Sequence, residues 1–169
     1  MTVVETARLR LRRLTVADAA FIFGLVNDPA WLRFIGDRGV RNLADAQNYI
    51  LKAPVASYEK YGFGLWLAEL KAGGAPIGMC GLIQRDTLPD VDIGFAFLPE
   101  FRGQGYATEA GRATMAYGRT TLGLKRIVAI TSPDNDGSIK VLEKLGLRFE
   151  QMIRVVPDGP ELKLFATGP

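Results

Sequence analysis

The stretch Phe97-Leu98-Pro99-Glu100-Phe101-Arg102-Gly103-Gln104-Gly105-Tyr106-Ala107-Thr108-Glu109-Ala110 passes from apolar residues through a basic, glycine-punctuated loop into a good helix-forming sequence. A glycine pair feeding a helix start lets backbone N–H groups close on an anion, and the helix N-terminus adds its own positive pole. A P-loop is excluded, because Tyr106 and Ala107 follow Gly105 where Lys and Ser/Thr are required. A dinucleotide fingerprint fits poorly: Thr108 stands at its third glycine, and Pro99 to Arg102 separate the loop from the apolar run before it. What remains is Arg102-x-x-Gly105-x-Ala107, an anion cradle made of backbone. Beside it stands the plainer reading of a simple strand-to-helix turn.

The chain contains no histidine. Serine–histidine and cysteine–histidine triads, histidine metal sites and the usual base near neutral pH are therefore removed. Cys80 is the single cysteine, so no internal disulfide forms and nothing points to an oxidising compartment. Proton transfers fall to carboxylates, hydroxyls and backbone dipoles.

The elements that must position this loop are legible from the pattern. Of the 169 residues, 48% are hydrophobic and 23% charged, with a net charge of +3. This is an ordinary globular composition, mildly basic, without the clustered charge of a nucleic-acid binder. No apolar run is long enough to span a bilayer, and no signal-peptide pattern opens the chain, so the expectation is a cytoplasmic protein. The alternation in residues 8–14 predicts a strand whose arginines (Arg8, Arg10, Arg12) form its wet face. Thr15 with Asp18 reads as the capping box of a helix carrying Ala19, Ile22, Phe23 and Val26, ended by Asn27-Asp28-Pro29. A short piece holds Trp31 and Phe34, and Asn42 caps a second helix reaching Ala53. From Gly62 the texture changes to three strand-like arms, FGLWLAEL, IGMCGLI and VDIGFAFL. A helix from Tyr106 to about Leu122, the strand RIVAIT, a short helix from Ser138 to Leu145 with Gly146 at its C-cap, and two closing strands follow. The order is β-αα-βββ-α-β-α-ββ. It describes one α/β domain over 1–169, with an antiparallel first half and a parallel strand pair after the crossover helix.

Arg102-Gly103-Gln104-Gly105-Tyr106-Ala107-Thr108-Glu109-Ala110 resembles the acyl-CoA pyrophosphate loop of the GNAT N-acetyltransferase superfamily. It is most similar to the branch of the ribosomal-protein N-terminal (alanine/serine) acetyltransferases. Thr6-Ala7-Arg8-Leu9, Pro76-Ile77-Gly78, Asp92-Ile93-Gly94-Phe95, and Asn135-Asp136-Gly137-Ser138 running into Glu143-Lys144-Leu145-Gly146 match the same branch in order. The resemblance implies the GNAT acyl-CoA N-acyltransferase fold: a mixed central sheet, an antiparallel meander plus a splayed parallel strand pair, flanked by helices. Acetyl-CoA is the implied co-substrate, with no metal. Its pantetheine is expected along the strands ending at Phe97-Leu98 and near Thr131, bonded by Asn135. Its pyrophosphate is expected on residues 103–108, with Arg102 beside them and Lys140 as a further phosphate candidate. Backbone N–H near Phe97 is expected to polarise the thioester carbonyl.

Two proton jobs remain. Many members protonate the leaving thiolate with a tyrosine after the last helix; this chain has none after Tyr117, and Phe149 lies in that region. The ribosomal-protein branch points to Ser138 instead, although Ser138 or Asn135 is equally readable as a helix cap. For the base, Asp92 on the splayed strand is preferred over Glu69 and Asp86. Acceptor contacts are expected from Trp31, Phe34 and Asp92.

The acceptor itself can be narrowed by arithmetic. An α-amine with pKa near 7.8 is roughly 14% free base at pH 7, against roughly 0.04% for a lysine near 10.4. That gap corresponds to about 3.5 kcal/mol. The expected acceptor is therefore a peptide N-terminus or a small amine of low pKa, used by a monomer or homodimer that binds neither nucleic acid nor membrane. A non-catalytic acyl-CoA sensor and a nucleotide-binding oxidoreductase are the alternatives.

Overall fold

The computed structural model describes residues 1–168. Eight strands, β1 (Thr2–Glu5), β2 (Leu9–Arg12), β3 (Leu65–Leu70), β4 (Pro76–Ile83), β5 (Asp92–Phe97), β6 (Val128–Thr131), β7 (Arg148–Ile153) and β8 (Leu162–Ala166), form one sheet. Their order is β1-β2-β3-β4-β5-β6-β8-β7. Every neighbouring pair is antiparallel except β5 and β6, which run parallel and meet only at Asp92 and Val128. Beyond that point the two strands diverge.

Six helices cover the sheet: α1 (Ala19–Val26), α2 (Pro29–Phe34), α3 (Leu43–Ile50), α4 (Ala56–Tyr61), α5 (Tyr106–Thr120) and α6 (Asp136–Lys144). The period-2 alternation of the strands splits the core in two. Trp66, Ala68, Cys80 and Leu82 pack on one face with Ala110 and Met115 of α5 and Leu142 of α6. Leu67 and Met79 turn the other way, onto Ile22 and Leu25 of α1 and Ala46 and Ile50 of α3. Each fully buried side chain of this size contributes about 1.5–3 kcal/mol, so both helical layers are held firmly to the meander.

The α/β reading and the order of the larger elements agree with the structure; the details differ in four places. Thr2–Glu5 forms an additional strand paired to β2, too short at four residues for alternation to reveal it. The capping box of Thr15 and Asp18 is present, but it opens a 3-10 turn that leads into α1. The second helix stops at Ile50, because Pro54 has no N–H to donate; a π turn over Leu51–Val55 carries the chain into α4. The arginine face of β2 is not simply wet either. Arg10 and Arg12 share the Glu69 carboxylate at 3.3 and 3.1 Å, and Arg12 also pairs with Asp18 at 2.9 Å.

Candidate active site

The gap between β5 and β6 is lined by unpaired backbone. Leu98 N–H donates to the Ile77 carbonyl at 2.9 Å, so the ladder alternation turns the amides of Phe95 and Phe97 away from β4 and into the gap. On the other side Val128 N–H reaches the Val91 carbonyl at 3.0 Å, and the same alternation sends Ile130 into the gap from β6. An extended chain laid between the strands meets donors and acceptors from both.

At the open end of the gap lies the glycine loop. Gly103 and Gly105 sit at φ 73° and 84°, conformations that a Cβ disfavours. Nothing lies within 4 Å of a Cβ placed on Gly103, so backbone conformation, not crowding, demands glycine there. Gly105 caps the 15-residue α5 without a side-chain bond. The first-turn amides, Tyr106 to Thr108, thus lack a side-chain acceptor and point outwards along the helix axis. Two arginines hold the loop. Arg102 donates to the Phe97 carbonyl at 3.1 Å and to Asp28 at 2.8 Å, tying the loop to the N-cap of α2. Arg8 donates to Glu109 at 2.7 Å and to the Gln104 carbonyl at 3.1 Å, with its guanidinium 4.2 Å from the Tyr106 ring centre.

Across the gap, α6 begins at Asn135. Its side-chain oxygen accepts from Ser138 N–H at 3.2 Å and is the cap of the helix. The Ser138 hydroxyl makes no hydrogen bond among the described residues and borders the cleft. Of the two residues read as possible caps, Asn135 takes that job and Ser138 is left free.

These parts enclose a cleft of about 1030 Å³. Phe97, Arg102, Gly103, Ala107, Asn135 and Ser138 border it on the loop side, and Asp92, Trp31 and Phe34 on the other. Leu98, Gln104, Tyr106 and Lys140 do not border it, while Gly105 and Thr108 open onto a second groove beside Arg8, Arg112 and Lys144. Lys140 is exposed, and Phe149 stands exposed on β7 outside the cleft. Trp31 is buried with its indole N–H unpartnered, and the Phe34 carbonyl accepts from the Ser132 hydroxyl at 3.1 Å. Cys80 is no nucleophile: burial pushes its thiol up to about 12, against the weaker pull of its bond to Thr114.

Asp92 is the carboxylate at the closed end of the gap. It is 1% exposed and accepts from Arg85 Nε at 3.0 Å. Burial raises its pKa to about 6, and the Arg85 charge holds it from rising further. Glu69 is committed to Arg10 and Arg12 and lies outside the cleft, whereas Asp86 borders it from the exposed turn after β4. Sequence reasoning missed Arg85, Asp28, Arg38 and Tyr49. Asp28-Pro29, read only as the end of the first helix, is also a legible N-cap signal for the next; the other three have no local signature.

The family description "Acetyltransferase (GNAT) domain" matches residues 8–148. The chain belongs to the GNAT acetyltransferase family. It is therefore an acetyl-CoA-dependent N-acetyltransferase, and the oxidoreductase reading is set aside. Among its relatives is the Bacillus subtilis protein YkkB, of uncharacterised function, 33% identical over 90% of this chain and 89% of the relative. An acetyltransferase structure from Agrobacterium tumefaciens superposes with a TM-score of 0.82 at 25% identity, covering 100% of this chain and 95% of that one. RimL, a ribosomal L7/L12 α-N-protein acetyltransferase solved with coenzyme A, superposes with a TM-score of 0.82 over 98% of this chain and 97% of its own, at 16% identity. That last likeness is one of fold. The mixed sheet with its single parallel pair is the GNAT arrangement.

Proposed function

We propose that this GNAT enzyme acetylates a primary amine of low pKa, either a peptide N-terminus or a small molecule, with Asp92 as base and Ser138 as acid. The observation that carries the reading is that a buried carboxylate and an unbonded hydroxyl border the same cleft, flanking a gap lined by free backbone groups. The residues present fit acetyl-CoA. The outward amides at the start of α5 suit a pyrophosphate, and the unpaired amides and carbonyls of Phe95 and Ile130 suit a pantetheine, with Asn135 beside them. Acetyl-CoA supplies the acetyl group as an activated thioester. A backbone N–H that faces the gap from β5 would polarise its carbonyl oxygen.

Asp92 takes the proton that the acceptor ammonium must lose. A carboxyl with a pKa of about 6 is mostly ionised at neutral pH and more basic than an ordinary aspartate, which suits that task. Ser138 Oγ returns a proton to the departing sulfur. The likeness to RimL and the easier deprotonation of an α-amine favour a peptide N-terminus among the possible acceptors. A single domain over 1–169 and a cytoplasmic location belong to the same reading.

The test is a thermal-shift series with acetyl-CoA, CoA, NAD and ATP, followed by thiol-release assays on a panel of amines. A ligand at 100 times its Kd adds about 2.7 kcal/mol, a rise of roughly 5–11 °C for a chain of this length. Shifts with the two CoA species alone, and turnover of α-amines ahead of lysine peptides, are expected. A preference for internal lysines overturns the acceptor assignment.

A further inference from the structure

The acceptor side of the cleft is walled by α3, α4, the segment 35–42 and the turn after β4. Four cationic side chains border it, Arg38, Lys52, Lys60 and Arg85, against Asp86 and Asp92, while Asp28 at the start of α2 also borders the cleft and is taken up by Arg102. Asp92 is taken up by Arg85 at 3.0 Å. Lys60 is held charged first by its bond to Tyr61 and then by the field of Asp86. Arg38 and Lys52 are left over, with no ion-pair partner among the described residues.

Tyr49, on α3, borders the same cleft. Burial holds the pKa of its phenol above the ordinary value, against the weaker pull of the Arg38 and Arg85 charges, and both arginines border the same cleft. Tyr49 has no hydrogen-bond partner among the described residues, and the Trp31 indole N–H, buried on the α2 side of the same cleft, has none either. This part of the cleft is thus rich in donors and positive charge and short of acceptors. A cleft with low-dielectric walls concentrates such a field on whatever enters.

Resting on the acetyltransferase reading above, we propose that the acceptor is a primary amine that also carries a carboxylate, bound by Arg38, Tyr49 and Lys52 while its amine faces Asp92. A guanidinium fork, an ammonium and a phenol O–H match a carboxylate's oxygens, and charge-assisted bonds of this kind are the strong ones. The same two unpaired cations repel a polyamine, so selection acts against the wrong acceptor as well as for the right one. The carboxylate has two sources to separate: an acidic residue next to a peptide N-terminus, which keeps the amine pKa low, or a free amino acid, whose own carboxylate raises its amine pKa, so that its use would overturn the low-pKa part of the reading above while keeping the carboxylate site.

The experiment measures kcat and KM by thiol release, with acetyl-CoA saturating. The probes are three octapeptides beginning Ser-Asp-Asp, Ser-Asn-Asn and Ser-Lys-Lys, with free aspartate, free glutamate and spermidine alongside. The acidic peptide or a free amino acid is expected to exceed the neutral peptide about tenfold in kcat/KM, mainly through KM, with the advantage shrinking at high salt. Which of the two leads identifies the source. Arg38→Ala with Lys52→Ala is expected to erase the preference, and Lys52→Glu to turn it towards the lysine peptide. The exposed Lys125→Ala, away from the cleft, serves as the control. An acetyl-CoA thermal shift retained in each variant shows that fold and co-substrate site are intact. If acetyl-CoA binds yet the neutral peptide or spermidine is used as well as the acidic probes, or no carboxylate-bearing amine is used, the inference is overturned while the family activity stands. Failure to bind acetyl-CoA sinks the underlying reading instead.

Discussion

Asp92 and Arg85 form an ion pair of unequal partners: the carboxylate is 1% exposed and the guanidinium 32%, with 3.0 Å between Nε and Oδ1. Desolvation acts almost wholly on the acid, while the arginine keeps contact with water. The pair therefore does not push the carboxyl to a low pKa, as an ion pair usually does; burial wins and leaves it at about 6.

With Asp92 as the proposed base, that balance predicts the pH dependence of the reaction. As pH falls through about 6, Asp92 gains a proton and can no longer accept one, so kcat/KM should decline with an apparent pKa near that value. Asp92→Asn is expected to lower kcat about 10²–10⁴-fold and to abolish this acid limb. A variant with wild-type rate and profile removes Asp92 from the mechanism.

Stability moves with pH in the opposite sense to an ordinary paired aspartate. Because the folded carboxyl titrates above the unfolded value near 4, the folded state binds this proton more tightly. The contribution is fully present below pH 4 and is lost as pH rises through about 6; a shift of roughly two units corresponds to about 3 kcal/mol. The difference in Tm between Asp92→Asn and the wild type should therefore drift in favour of the variant from pH 4 to pH 7. Parallel melting curves across that window would contradict the assigned burial effect.

At the start of α6, two neighbouring residues should separate cleanly into structure and chemistry. Asn135→Ala removes the cap and is expected to destabilise the protein by about 1 kcal/mol. Ser138→Ala leaves the cap in place; it should reduce kcat about tenfold or more with Tm unchanged. Loss of stability in the serine variant would return Ser138 to a structural role.

Gly105 offers a test of the loop. At φ 84° an alanine is strained by roughly 1–2 kcal/mol, and relief of that strain turns the first amides of α5 away from the cleft mouth. Gly105→Ala should raise the KM for acetyl-CoA about tenfold and weaken its thermal shift. Unchanged affinity would mean that the loop amides do not hold the co-substrate.

The features that local chemistry controls were legible along the chain. The two glycines of the loop, the capping residues Thr15 and Asn42, and the three strand-like arms that become β3 to β5 act over a few residues, and each appears where the pattern places it. The absence of histidine likewise narrowed the chemistry before any fold was known. The pairings across long separations were decided only by folding. Arg102 with Asp28 and Arg8 with Glu109 join residues from different elements, as does the cleft that Arg38 and Tyr49 both border, and no local pattern encodes such meetings. Asp92 shows the difference most clearly. Its position on a strand was readable, but its pKa depends on how completely the helices and the splayed strands exclude water around it. Desolvation is a property of the packed volume, so the sequence could nominate this carboxylate and only the tertiary structure could raise its pKa to about 6.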